Sequence, residues 1–225
     1  GLSRILGFVR DILTAAILGA GPVADAFFVA LKLPNFFRRV TAEGAFSVSF
    51  VPLYTAKIEK DSQAAANNFA GDALSMMLAV LVPFTLVAMA AMPWIIYVIA
   101  PGFAGDPERF PLAVELSRVT FPYLLLMSVM ALMGGVLNAL ERFAPFAAAP
   151  ILFNLSLIVA LLCLSPVLET PGHAMAWGVL AAGIAQCLWL FQSIRRAGVT
   201  LKIHRPRKTP DITRLFKLMG PGVLG

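Results

Sequence analysis

The chain has little of what soluble enzymes and secreted domains are built from. Only 13% of its 225 residues are charged, and cysteine and histidine occur just twice each. Soluble globular proteins carry about 25% charged residues, whereas here 59% of residues are apolar and the mean hydropathy is +0.83. An ordinary soluble domain is thereby excluded. Cys163 and Cys187 lie inside apolar runs with no metal-ligand pattern around them, so they read as packing residues rather than as a disulfide framework or a metal site. His173 and His204 have no second ligand or nucleophile at useful spacing. No catalytic constellation is found, and the chain is not expected to be an enzyme or to hold a metal or cofactor. No cleavable signal is visible in these residues, and the first of them is Gly rather than Met.

What the sequence has in abundance is long apolar runs. A helix needs about 20 apolar residues to cross the hydrocarbon core, so a chain of this length holds roughly six or seven spans joined by short loops. Hydropathy places spans near residues 3–19, 24–56, 70–99, 112–140, 145–165 and 173–194, with a seventh beginning near 212. Turn chemistry marks the joints at Gly19-Ala-Gly-Pro22, from Pro101-Gly102 to Asp106-Pro107, from Arg142 to Pro145 and from Ser165-Pro166 to Pro171-Gly172. The expected fold is all-α, a polytopic transmembrane helix bundle. Residues 1–197 form an N-terminal transmembrane lobe of six spans, 198–211 a linker, and 212–225 the start of the seventh span. The closing Met219-Gly-Pro-Gly-Val-Leu-Gly225 looks like a helix just beginning, so both ends are expected to be cut from a longer chain.

The net charge of +6 does not point to nucleic acid, because the basic residues sit in short loops or inside apolar runs. One set of alternate loops holds Lys57, Lys60, Arg142, Arg195, Arg196, Lys202, Arg205, Arg207 and Lys208, and the opposite set holds only Arg109. The positive-inside rule puts the first set in the cytoplasm. The segment from Arg195 to Asp211, basic residues beside Val199, Leu201 and Ile203, fits an anionic leaflet or a solvated linker equally well.

Residues 1–56 carry the informative anomaly: Arg4, Arg10, Asp11, Asp25, Lys32, Arg38, Arg39 and Glu43 interrupt an apolar background. An ionised group near mid-bilayer costs about 2.5 to 3.5 kcal/mol on insertion scales, so such groups face a partner or a watery cavity. Arg4 and Asp11 share one helix face, and Arg10 lies roughly 120° around from Arg4. Arg4 could snorkel to an interface, with Arg10 and Asp11 paired to neighbours. Asp25 falls in the first turn of the second span, where the helix dipole favours an anion. Pro34 should break or kink that span, with Asn35, Arg38-Arg39 and Glu43-Gly44 close behind. Broken helices are a recurring way of building transporter sites. Clustered guanidinium groups stay charged and pair bidentately with phosphate, so the lumen they suggest favours a phosphate or pyrophosphate head group. Asp25 and Glu43 would tune or gate such a site, or carry a coupling cation or proton. Glu115 and Arg118, three residues apart, are expected to pair with each other.

Several runs resemble one known family: Ser3-Arg-Ile-Leu-Gly-Phe-Val-Arg-Asp11, Ala24-Asp-Ala-Phe-Phe28, Lys32-Leu-Pro-Asn-Phe-Phe-Arg-Arg39 and Ala42-Glu-Gly-Ala-Phe46. They are similar to those of the MurJ (MviN-type) lipid II flippases of bacteria, as are Ser49-Phe-Val-Pro52, Ala100-Pro-Gly-Phe103, Thr120-Phe-Pro-Tyr123, Leu137-Asn138 before Arg142-Phe143, and Met219-Gly-Pro221. The resemblance implies the first lobe of a two-lobe exporter fold shared with multidrug, oligosaccharidyl-lipid and polysaccharide exporters. It implies lipid II as cargo, bound through its undecaprenyl pyrophosphate at Arg4, Arg10 and Arg38, with Asp25 and Glu43 gating and alternating access moving the head group outward; Arg39, next to Arg38 in the same guanidinium cluster, is expected to join the binding residues. It further implies a multi-pass protein of the bacterial inner membrane serving peptidoglycan synthesis and cell shape, with membrane lipids and cell-wall synthesis proteins as candidate partners. Two rival readings are an exporter of another lipid-linked oligosaccharide or of a drug, and a membrane enzyme acting on a polyprenyl phosphate.

Overall fold

A computed structural model describes the backbone of residues 1–41 and 45–224 and the side chains of 1–36 and 46–219. Most of the described residues are helical, with no strand among them. In chain order the helices are α1 (Leu2–Ile17), α2 (Pro22–Thr41), α3 (Ala45–Lys60), α4 (Gln63–Ala90), α5 (Met92–Ile99), α6 (Arg109–Thr120), α7 (Tyr123–Ala139), α8 (Ala144–Val159), α9 (Pro171–Arg196) and α10 (Pro210–Leu224). A 3₁₀ turn, Pro101–Phe103, follows α5, and a π-helical stretch, Ala160–Leu164, extends α8. Four helical stretches are long and apolar enough to cross a membrane: Gln63–Ala90, Arg109–Ala139, Ala144–Leu164 and Pro171–Arg196. The first two expected spans are not among them, α1 because it is too short and α2 because it carries Asp25, Lys32, Arg38 and Arg39. Leu2–Ile17 holds Arg4, Arg10 and Asp11 within 16 residues, and the stretch expected as one span over 24–56 is divided between α2 and α3. Val87, Val98, Leu162 and Leu188 are exposed. That inverts the pattern of a soluble protein and suits a chain whose outer surface is solvated by acyl chains.

The helical segments of Gly1–Asn35, Phe84–Leu124 and Ala148–Gln186 form one compact unit, and those of Phe36–Pro83, Leu125–Ala147 and Cys187–Gly225 form another. In the first, small residues let backbones approach. Ala174, Gly178 and Ala182 recur every fourth residue of α9, and a Cβ on Gly178 would lie 2.6 Å from that of Ala160 and 3.1 Å from Leu157 Cδ2. Two buried polar side chains are paired across helices: Tyr123 Oη donates to Gln186 Oε1 at 3.2 Å, and Gln186 Nε2 donates to the Ala149 carbonyl at 2.8 Å.

The expected break at Pro34 is not where the helix ends. The helical backbone of α2 continues through Pro34 to Thr41, and Glu43-Gly44 lie outside the described residues. Pro34 has no N–H, so the carbonyl of Ala30, four residues back, loses its intrahelical donor. Thr120 supplies another: its buried hydroxyl lies 3.2 Å from the Ala30 carbonyl and 3.3 Å from that of Ser117. A hydroxyl from a neighbouring helix thus compensates the proline, as membrane helices allow. Thr120→Val is therefore expected to destabilise the full-length protein in detergent by about 1 kcal/mol. In a Pro34→Ala background, where a backbone N–H returns to Ala30, the loss should largely vanish. Equal losses in both backgrounds would contradict this account.

The second unit is organised around rings on one face of α3. Phe46, Phe50 and Tyr54 recur at helical spacing, with Phe50 stacked on Phe46 at 5.1 Å, on Tyr54 at 5.6 Å and on Phe69 of α4 at 5.4 Å between centroids. The fully buried Tyr54 donates to Asn67 Oδ1 at 2.9 Å and accepts from Gln63 Nε2 at 3.0 Å. Beyond the end of α9 lies Gly198, whose φ of 78° suits glycine and whose N–H reaches the Arg195 carbonyl while that of Val199 reaches Ile194. The linker that follows is pinned to α4 rather than free. His204 N–H donates to Ser75 Oγ at 2.8 Å, His204 Nδ1 lies 3.3 Å from Asp72 Oδ1, and the Lys202 carbonyl lies so close to Gly71 that a Cβ there would collide with it. At the linker's far end Lys57 Nζ meets Asp211 at 2.9 Å, and that bond raises the Lys57 pKa.

Candidate functional site

Helices α1 and α2 carry the charged residues that interrupt the apolar background of the first part of the chain. No residue of α1 is fully buried, and Arg4 and Asp11 are exposed while Arg10 is partly covered. Arg10 is held on two sides. Its Nε and Nη2 both donate to Asp11 Oδ1, at 3.0 and 2.6 Å, and its Nη1 donates to Asn154 Oδ1 of α8 at 2.9 Å. Asn154 in turn donates its Nδ2 to the Ser3 carbonyl at 3.1 Å. A guanidinium has five N–H groups in a rigid fork, and the three bonds to Asp11 and Asn154 leave the rest of the fork unused among the described residues. Pairing with Asp11 offsets part of the charge, and a side chain one residue away is a partner available without any tertiary contact. The expectation that Arg10 and Asp11 would find partners nearby thus takes a specific form: each other, plus an asparagine from a distant helix.

Asn154 was not among the expected site residues, although a signal existed. It is the one amide in the apolar run from Ala144 to Leu164, and a polar side chain in such a run faces protein rather than lipid. It is 6% exposed.

Asp25 lies in the first turn of α2, as read from the sequence, but its partner is a side chain rather than the helix end. Arg109 Nε donates to Asp25 Oδ2 at 3.1 Å, and Arg109 Nη1 donates to Asp106 Oδ2 at 2.8 Å. Asp106 Oδ1 also accepts the backbone N–H groups of Arg109 and Glu108 at the start of α6. Those bonds, the Arg109 N–H first among them, hold the Asp106 carboxyl below the usual range. The lone basic residue of the sparsely charged loops therefore bridges two carboxylates. Arg109 and Asp25 are both substantially exposed to water, so the bridge orients the α2 start more than it stabilises it.

Arg4 and Lys32 are exposed and make no side-chain hydrogen bond or ion pair among the described residues. Arg38 and Arg39 belong to the helical backbone of α2, but their side chains, like all of Glu43, lie outside the described residues. The structure therefore brings Arg10 together with Asp11 and Asn154, and Asp25 together with Arg109. The expected pair of Glu115 with Arg118 does not form. Arg118 Nε donates to the Met89 carbonyl at 3.1 Å, at the C-terminal end of α4 where carbonyls lack helical partners. Glu115 instead lies 3.4 Å from His173 Nε2. Among the described residues no group of three metal-ligating side chains comes together.

The comparisons with known proteins agree with one another. The family model described as "Lipid II flippase MurJ" matches residues 14–225. A probable lipid II flippase MurJ of Rhizobium tropici is 42% identical over 99% of this chain and 42% of its own length. The lipid II flippase MurJ of Burkholderia cenocepacia is 36% identical over 98% of this chain and 43% of its own. The chain thus spans less than half the length of these relatives. Among solved structures, a lipid II flippase MurJ described as inward closed superposes with a TM-score of 0.79 at 25% identity, covering 99% of this chain and 45% of that one. A MATE transporter in complex with MaD3S superposes with a TM-score of 0.73 at 15% identity, over 99% of this chain and 49% of that one, a likeness of fold alone. These relatives are described as flippases and transporters, not as enzymes. With a family model matched from residue 14 to 225 and four helical stretches able to cross a membrane, the chain is a multi-pass membrane protein that belongs to the MurJ lipid II flippase family.

Proposed function

We propose that this chain is the N-terminal part of a flippase that carries lipid II, the undecaprenyl-pyrophosphate-linked peptidoglycan precursor, from the cytoplasmic to the outer leaflet of the bacterial inner membrane by alternating access. The observation that carries the reading is Arg10: a guanidinium on α1, oriented by Asp11 and Asn154 with part of its fork unused among the described residues, in a chain of this family. Such a fork suits the oxygens of a pyrophosphate. In this reading Arg4, Arg10, Arg38 and Arg39 bind the pyrophosphate, Asp25 and Glu43 gate the site or couple it to an ion, and Pro34 lets α2 flex. Residues 1–197 form the first transmembrane lobe, 198–211 the cytoplasmic linker and 212–225 the entry to the second lobe. No cofactor takes part, and the coupling ion is unassigned. Membrane lipids surround the protein, and cell-wall synthesis proteins are candidate partners.

Purified full-length protein should bind undecaprenyl pyrophosphate in native mass spectrometry at least about tenfold more tightly than undecaprenol, which has the chain without the phosphates. Equal binding of the two would contradict a phosphate site. Competition by lipid II against other lipid-linked oligosaccharides separates this cargo from that of related exporters.

A further inference from the structure

We infer that Asn154 is a positioning residue for Arg10, setting the direction in which the guanidinium presents itself to a phosphate; the inference rests on the reading of Arg10 given above. Asn154 is 6% exposed and comes from α8, 144 residues along the chain from Arg10. Its amide has only one workable orientation. Arg10 can only donate and the Ser3 carbonyl can only accept, so Oδ1 must face Arg10 Nη1 and Nδ2 must face Ser3. The donor half of the amide is thereby spent on the α1 backbone, which ties the acceptor half to a fixed place relative to the helix bearing Arg10.

Asp11 cannot do this work alone. Both of its contacts to Arg10 use the single oxygen Oδ1, and the carboxylate is two-thirds exposed, so its hold on the fork is open to rotation and to water. A neutral acceptor is also the right chemistry for the task. A second carboxylate would cancel the positive charge that an anion needs, whereas an amide carbonyl fixes the guanidinium and leaves its charge intact. Asn154 thus orients, Asp11 partly compensates, and the remaining N–H groups of Arg10 are left for the ligand.

The test is a double-mutant cycle on the full-length protein, with undecaprenyl pyrophosphate binding read by native mass spectrometry and thermal unfolding recorded for every variant. Asn154→Leu should weaken binding about tenfold, which corresponds to about 1.4 kcal/mol, while Arg10→Ala combined with Asn154→Leu should bind no more weakly than Arg10→Ala alone. Asn154→Ser, which keeps a small polar group and cannot span from Ser3 to Arg10, provides the same reading if the Leu variant does not fold. Unchanged binding in the Asn154 variants, or losses that add to that of Arg10→Ala, would overturn the positioning role and leave Arg10 as a ligand. Normal binding by Arg10→Ala would overturn the Arg10 reading itself, and the positioning role with it.

Discussion

Arg10→Ala in the full-length protein is expected to abolish rescue of flippase-depleted cells, with lipid II accumulating although the variant reaches the membrane in normal amount. Hydrogen bonds to charged groups are worth about 1.5 to 3 kcal/mol each, so losing even one or two bonds to the pyrophosphate weakens binding by tenfold or more. Removal of Arg10 also leaves Asn154 Oδ1 without its donor and Asp11 as an uncompensated carboxylate beside the site, which turns an attractive region repulsive for an anion. Arg10→Lys retains the charge but has no planar fork, so it should recover only a small part of the activity. Full rescue by Arg10→Lys would mean that charge alone matters, and full rescue by Arg10→Ala would assign the residue a structural role. Arg38→Ala is expected to behave as Arg10→Ala does.

Phe50→Ala is expected to cost about 3 to 5 kcal/mol of stability, the range for truncating a large buried aromatic. Phe50 has no exposed surface and stacks against Phe46, Tyr54 and Phe69, so it joins α3 to α4. Its ring also packs against α7, where a Cβ placed on Gly135 would lie 3.0 Å from Phe50 Cδ1. Such ring pairs add about 0.5 to 1.5 kcal/mol beyond area alone. Phe50→Leu, which keeps most of the volume, should lose about 1.5 kcal/mol or less. Thermal unfolding of the two variants in the same detergent checks both figures. An Ala variant as stable as the Leu variant would show that the rings are not a packing centre.

How much of this could be read from the sequence depends on the length scale of the cause. Arg10 and Asp25 were legible because charge in an apolar run demands a partner or water, a local argument needing no fold. Their partners were not. Asn154 and Arg109 come from helices far along the chain, and only folding brings them to α1 and α2. The pair expected between Glu115 and Arg118 failed for a related reason. Helical spacing makes the two residues neighbours, but the free carbonyl of Met89 at the end of α4 and the ring of His173 offered each a partner that spacing cannot anticipate. Pro34 was correctly read as removing a helical hydrogen bond. What the sequence concealed was Thr120, whose hydroxyl reaches the vacated Ala30 carbonyl while α2 continues to Thr41. The apolar runs from Gln63 onward were the easiest part, since length and hydropathy alone suffice to identify them.

The central claim is that the protein containing this chain moves lipid II across the membrane, and the most direct measurement is the exposure of lipid II at the outer leaflet. In cells depleted of their own flippase and supplied with the full-length protein, an added enzyme that cleaves lipid II from outside should release its head group to the level seen before depletion, and the Arg10→Ala variant should reduce that release to the depleted level. Release that stays at the depleted level with the well-expressed wild-type protein would contradict the account.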